Sequence, residues 1–264
     1  MINHSKVNYF ENGDINGEII LFLHPKNLSP WIWNNQIDAF DNYHCFYIDL
    51  ENRTIEENTD LIGDFIENKL KCEIFLNDKN TSKINLVGIE FGGQIAIELL
   101  NKYPNNINKV FLSGINFSNS NYLEEFDFDK IFAKTKKEYL DKKSERFLAK
   151  AYLREFGISK EYYEEMKESL DEKEFKEQYI FPLLKENNIL DFNLKDNLEK
   201  NNFNINNILI NYGTKEDLTT QISAIKLKSL LKEARLIEIE KGLLLWNMSK
   251  SDLFNKILKE FLEE

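Results

Sequence analysis

The stretch KINLVGIEFGGQIAIELLNKYP, residues 83–104, joins a short apolar run to a helical pattern through a turn flanked by glycines. Ile84–Ile89 has the length and composition of a buried strand, and residues 92–103 repeat apolar side chains at helical spacing. A strand that reverses into a helix within one residue holds that residue in strained backbone geometry, so its flanks must be small. Gly88 and Gly92 meet this need around Glu90, and Gly93 lets the following helix lie close to the strand. The helix opens with unpaired N–H groups and positive dipole character aimed at the turn.

Five further apolar runs of strand length accompany this one, at Glu18–His24, Cys45–Leu50, Lys109–Gly114, Asn207–Gly213 and Arg235–Gly242. Amphipathic helical patterns lie between most of them, at residues 30–41, 58–71, 92–103 and 221–234, and another closes the chain at 249–264. The alternation predicts an α/β fold, a mostly parallel central sheet with helices on both faces. Between Asn116 and about Asn206 no strand-like run occurs and helical patterns follow one another. Residues 117–206 are therefore expected to form a helical cap inserted into a core made of residues 1–116 and 207–264. Aromatics recur in the insertion at helical spacing, among them Phe128, Phe132, Tyr139, Phe147, Tyr152, Phe156, Tyr163, Tyr179 and Phe181. They are expected to pack the cap onto itself and the sheet, above an apolar cleft.

The 264 residues carry 34 Lys+Arg against 45 Asp+Glu, a formal charge of −11. That excess repels phosphate backbones and anionic membrane surfaces, so neither nucleic acid nor a membrane is expected as a partner. The first residues lack a basic region followed by an apolar run and cleavage site, and no segment holds about 18 uninterrupted apolar residues. The expectation is a soluble, cytoplasmic protein. Cys45 and Cys72 lie in or beside apolar stretches and are too few for a disulfide framework or a thiolate cluster. Both are expected as buried free thiols. No spacing pattern implies a metal or a cofactor.

Three motifs stand in order along the chain: LFLHPKNLSPWIW at 21–33, LVGIEFGG at 86–93, and the pair NYGTKED at 211–217 with IEKGLLLWNMSKSDLFNKILKEF at 239–261. The first is similar to a His-Gly loop after an early strand, the second to a GxSxG nucleophile elbow, and the pair to acid-bearing and histidine-bearing loops. Together with the order of elements, they make nearly the whole chain resemble the α/β-hydrolase family, in the form of a capped bacterial esterase or acyl hydrolase. The resemblance implies a serine nucleophile, a histidine that removes its proton and an acid that orients the histidine. Matched residue by residue, the serine position is Glu90, the acid position is Glu216 with Asp217 as an alternative, and the histidine position is Leu244. The histidines are His4, His24 and His44, so nothing after residue 44 supplies an imidazole. The N–H groups of Lys26 and Phe91 match the two oxyanion-hole donors. His24-Pro25 replaces His-Gly there and restricts the loop. ENRT at 51–54 stands where the family places glycine-rich sequence.

These departures imply a pseudohydrolase that binds a small apolar or acyl-type ligand, or a partner, through an inherited pocket; a surface-only regulatory role is a further class. The alternative is an enzyme of altered mechanism, with Glu90 as nucleophile or base and Glu216 or Asp217 assisting. As a nucleophile, Glu90 would form an ester that no histidine-activated water releases. As a base, it would have its pKa raised by desolvation and lowered by the helix N-terminus, a balance the sequence leaves open. A cation held by Glu90, Glu216, Asp217 and His24 is another reading. The plainest reading makes Glu90 a carboxylate at a helix N-terminus, worth ~0.3–1 kcal/mol when exposed, and His24 a loop brace.

Overall fold

Strand β2 (Ile19–Leu23) is apolar and buried at every position, as a strand covered on both faces must be. The computed structural model describes residues 6–26, 28–50, 53–70, 83–116, 153, 157–171 and 194–264. With β1 (Asn8–Gly13), β3 (His44–Asp49), β4 (Ile84–Ile89), β5 (Ile107–Ser113), β6 (Ile208–Gly213) and β7 (Arg235–Ile239), β2 forms a seven-stranded sheet. Its order is β1-β3-β2-β4-β5-β6-β7, and every neighbouring pair is parallel except β1 with β3. The α/β fold expected from the apolar runs is the fold present. All six runs are strands, and β1 is an addition to them. Only two of the β1 side chains are even partly buried, so this edge strand carries no apolar run by which to recognise it.

Because side chains alternate across a strand, each strand feeds two cores. On one face Leu21, Leu86, Val110, Leu112 and Ile210 pack against Ile95, Ala96 and Leu99 of the helix Phe91–Lys102 and against the helices Ile55–Phe65 and Leu218–Leu230. On the other, Phe22, Val87, Phe111 and Leu209 meet Trp33, Trp246 and Phe254, the last from the closing helix Ser251–Glu263. The helix Ile55–Phe65 starts with a reciprocal cap: Glu57 N–H donates to Thr54 Oγ1 at 3.2 Å, and Thr54 N–H donates to Glu57 Oε2 at 2.9 Å. Cys45 is buried with a free thiol, whereas Cys72 lies outside the described residues.

Within the insertion, the described parts are Leu153, residues 157–171 and residues 194–206. Leu153, Ile158 and Met166 are buried in the Trp33–Trp246 cluster, with Tyr163 against it, and Tyr162 stacks on Trp31 with ring centroids 5.7 Å apart. The helix Leu194–Lys200 packs on the opposite face through Leu194 and Leu198, and Asn197 Nδ2 donates to the Asn101 carbonyl at 2.6 Å. Of the other insertion aromatics, Phe128, Phe132, Tyr139, Phe147, Tyr152, Phe156, Tyr179 and Phe181 lie outside the described residues.

The strand order positions the site. The chain leaves β2 for β3 on one side, returns to β4 on the other side of β2, and continues from there to β5. The connections after β2 and β4 therefore diverge, which opens a crevice at the carboxyl ends of these two strands. Lys26 follows β2 and Glu90 follows β4, so both flank it. Among the described residues, no helix is long and apolar enough to cross a membrane.

Candidate functional site

Glu90 sits alone between the last residue of β4 and the first of the helix Phe91–Lys102, with φ 50° and ψ −111°. This is a costly conformation for a residue with a side chain, of the order of 1–3 kcal/mol, and it is held by its surroundings. The Glu90 N–H donates to the Ser113 carbonyl at 2.9 Å, and its carbonyl accepts the Gln94 N–H at 3.1 Å. Tight packing explains the flanking glycines. A Cβ on Gly92 would lie 2.1 Å from the Leu23 carbonyl oxygen, and one on Gly88 would lie 2.5 Å from the Gly92 carbonyl oxygen. Gly93 is less confined, at 3.0 Å from Ile115 Cγ1, so Gly92 makes the closest approach to the sheet.

The Glu90 carboxylate turns back toward the loop after β2. Its Oε2 accepts the Lys26 N–H at 2.9 Å, and the nearby Phe91 N–H favours the ionised carboxylate. These are the two groups matched to oxyanion-hole donors: the Glu90 side chain takes the hydrogen bond of the first and sits near the second. Burial pushes the Glu90 pKa up, and the Phe91 and Lys26 N–H groups and the Lys26 charge oppose it without cancelling it. The balance left open by the sequence thus falls on the side of desolvation. Lys26 Nζ also lies 5.1 Å from the centre of the Phe91 ring.

Pro25 does not prevent this arrangement, because His24 braces the loop. Its ring is fully buried, with Nδ1 2.7 Å from the Pro25 carbonyl oxygen and Nε2 accepting the Leu50 N–H at 2.8 Å. With Nε2 accepting from Leu50, Nδ1 is the nitrogen that donates to the Pro25 carbonyl, and the ring ties the ends of β2 and β3 together.

On the far side of the elbow, Ile89 pairs with Ser113, which sets Glu90 next to Gly114. Gly114 has φ +60°, and two side chains converge on it: a Cβ there would lie 2.5 Å from Leu244 Cδ1 and 2.9 Å from Glu216 Oε2. The residues matched to acid and histidine, Glu216 and Leu244, thus meet beside the elbow. Glu216 Oε1 accepts the Gly213 N–H at 2.7 Å, whereas Oε2 is buried and has no hydrogen-bond partner among the described residues. Burial, with a smaller push from the Asp217 charge, raises the Glu216 pKa to about 7 against the pull of the Gly213 N–H. Asp217 is exposed and caps the helix Leu218–Leu230, accepting the Thr220 N–H at 2.9 Å together with the Thr219 and Thr220 hydroxyls. The structure therefore separates the two adjacent acids into an inward Glu216 and a capping Asp217.

Beneath Leu244, Trp246 Nε1 donates to Ser113 Oγ at 2.9 Å and to Asn211 Oδ1 at 3.1 Å, all three residues fully buried. Gly114, Ser113 and Asn211 enter the site only through the fold. Their signal in the sequence is a polar residue after the apolar run of a strand, Ser113 at the end of β5 and Asn211 within β6. Among the described residues, no group of three or more His, Cys, Asp or Glu is placed to hold a metal ion.

A family model described as alpha/beta hydrolase fold matches residues 19–243. No curated protein matches the chain in sequence. Among solved structures, a lipase-esterase related protein from Clostridium acetobutylicum superposes with a TM-score of 0.67 at 20% identity, covering 97% of this chain and 100% of that one. An enol-lactonase from Burkholderia xenovorans gives a TM-score of 0.69 at 16% identity over 98% and 96% of the two chains. A meta-cleavage product hydrolase from Pseudomonas fluorescens gives 0.69 at 19% identity over 97% and 94%. At these identities the likeness speaks for the fold.

Proposed function

We propose that this chain, which belongs to the alpha/beta hydrolase fold family, is a pseudohydrolase that keeps the family's pocket for binding a small apolar ligand or a partner. The observation that carries this reading is the Glu90 carboxylate accepting the Lys26 N–H at 2.9 Å, with Phe91 N–H beside it. Acyl transfer needs those donors open for the oxygen on which negative charge develops. Here an oxygen of the protein already fills that role. Leu244 can neither take a proton from a nucleophile nor activate a water, and no other imidazole follows residue 44. The retained glycines are explained by packing alone, so they support the fold without implying catalysis.

A second reading rests on a separate observation. Burial raises the pKa of Glu90 and of Glu216, the latter to about 7, a range suited to general acid–base work. In that reading Glu90 is a base in an enzyme of altered mechanism, acting on an ester-like or other small substrate. Both are tested by incubating the purified chain with p-nitrophenyl acetate and p-nitrophenyl butyrate. The pseudohydrolase reading expects no turnover above the buffer rate. Turnover that disappears in Glu90→Ala would overturn it and favour the second reading.

A further inference from the structure

We infer that the pocket binds the ammonium group of an apolar amine, with Glu216 Oε2 as its acceptor. This deepens the pseudohydrolase reading and rests on it, because the argument starts from the donors that Glu90 has removed. A family pocket that polarises a carbonyl presents N–H groups to it. In this chain the Lys26 N–H is bonded to the Glu90 carboxylate, which also lies near the Phe91 N–H, so a ligand carbonyl or carboxylate entering here meets a donor already engaged and a negative charge beside it. What stands beside the elbow instead is an acceptor. Glu216 Oε1 has its partner in the Gly213 N–H, but Oε2 is buried with none among the described residues. A buried polar oxygen without a partner is uncommon, and it points to a donor that is supplied from outside the chain.

The surroundings of that oxygen define the rest of the ligand. Oε2 and Leu244 Cδ1 converge on Gly114, so the unpartnered oxygen is bordered by an aliphatic side chain and by backbone. Next along the rim is Glu90, because Ile89 pairs with Ser113, the residue before Gly114. In its ionised form, which a bound cation favours, Glu216 accepts and cannot donate, so it discriminates in favour of N–H groups and above all charged ones. The leucine replacing a histidine adds apolar contact to a hydrocarbon body. The combination selects a primary or secondary ammonium on an apolar chain or ring, and it disfavours the acids and esters that share such a body.

The test compares three six-carbon probes of equal apolar size, hexylamine, hexanol and hexanoate, on the intact chain by calorimetric titration and thermal shift. Hexylamine is expected to bind and raise Tm, and hexanoate to do neither. Glu216→Gln is expected to weaken hexylamine by about tenfold or more, as loss of a charged hydrogen bond implies. Leu244→Lys places an ammonium of the protein's own beside Glu216 and is expected to abolish the hexylamine response while the fold is retained. The inference is overturned if hexanoate binds as well as hexylamine, or if hexylamine is bound equally by wild type and both variants. Ester turnover by the wild type would sink the pseudohydrolase reading whatever the amine does. A silent amine titration without turnover would sink only this one.

Discussion

Glu90 Oε2 accepts the backbone N–H of Lys26 at 2.9 Å, across the crevice between the ends of β4 and β2. The residue at the nucleophile position therefore occupies the donor that a reaction at that position would need. Under the proposed pseudohydrolase reading, glutamate at this position has two effects: it leaves no attacking hydroxyl and it fills the oxyanion site. Leu244 would then carry no penalty, since without an attack there is no proton to move.

The acid loop predicts a pH dependence of stability. A carboxyl whose folded pKa lies above its unfolded value holds more protons when folded, so stability falls as pH rises through the interval between the two. For Glu216 that interval runs from about 4.5 to about 7, and raised Glu90 acts in the same direction. Chemical denaturation is expected to show the chain losing on the order of 2 kcal/mol across it from Glu216, after allowance for its partial exposure. Glu216→Gln removes that part of the slope and leaves the part due to Glu90. An unchanged slope in the variant would mean that Glu216 ionises normally in the fold.

Much of this was legible in the sequence, and the reasons differ by element. The five inner strands, β2 to β6, are buried on both faces and stand out as apolar runs, and the half-buried edge strand β7 still reads as one, whereas β1 at the opposite edge keeps its side chains mostly in solvent and carries no such run. Gly88 and Gly92 could be read because backbone crowding at the elbow admits nothing larger. Lys26 and Phe91 could be placed by position, since donors of that kind belong to the backbone. The direction of the Glu90 side chain could not, because it depends on a rotamer and on the loop that His24 holds. Nor could the choice between Glu216 and Asp217, adjacent acids that one turn of backbone sends to opposite roles.

The elbow packing gives a stability prediction. Gly92→Ala would set a methyl 2.1 Å from the Leu23 carbonyl oxygen, a backbone atom that can move only if β2 moves. The expected cost is about 3 kcal/mol or more, at the upper end of overpacking effects. Gly93→Ala, facing the softer Ile115 side chain at 3.0 Å, is expected to cost less. Urea denaturation of the two variants side by side checks the ranking, and equal losses would contradict it.

Trp246 supplies a third. Its indole N–H satisfies both Ser113 Oγ and Asn211 Oδ1 inside the core. Trp246→Phe keeps most of the ring contact with Phe254 but leaves those two acceptors without their donor. The expected loss is ~1–3 kcal/mol, the usual cost of unmade buried hydrogen bonds. Because Ser113 also anchors the Glu90 N–H through its carbonyl, the variant should respond less to hexylamine as well as melt earlier. Loss of stability with an intact amine response would show that the elbow does not depend on this contact.

Restoring chemistry is the sharpest test of how much of the machinery persists. Glu90→Ser frees the Lys26 and Phe91 N–H groups and introduces a hydroxyl, but with Leu244 in place nothing takes its proton, so the single variant is expected to remain near background. Leu244→His alone gives a base with no nucleophile, and its ring would lie near the orphan Oε2 of Glu216, which both side chains approach at Gly114. The double variant recreates the order nucleophile, acid, histidine on an elbow that already has the required backbone, φ 50° at residue 90. Triad members act as a unit, so the gain should be strongly non-additive: slow but measurable p-nitrophenyl acetate hydrolysis in the double variant and none in either single one. A folded double variant that stays silent would place the defect in the donors themselves, and so in the loop that Pro25 shapes. Adding Pro25→Gly to it then tests that loop directly, because the smaller residue restores the freedom with which a backbone N–H can turn toward a tetrahedral oxyanion.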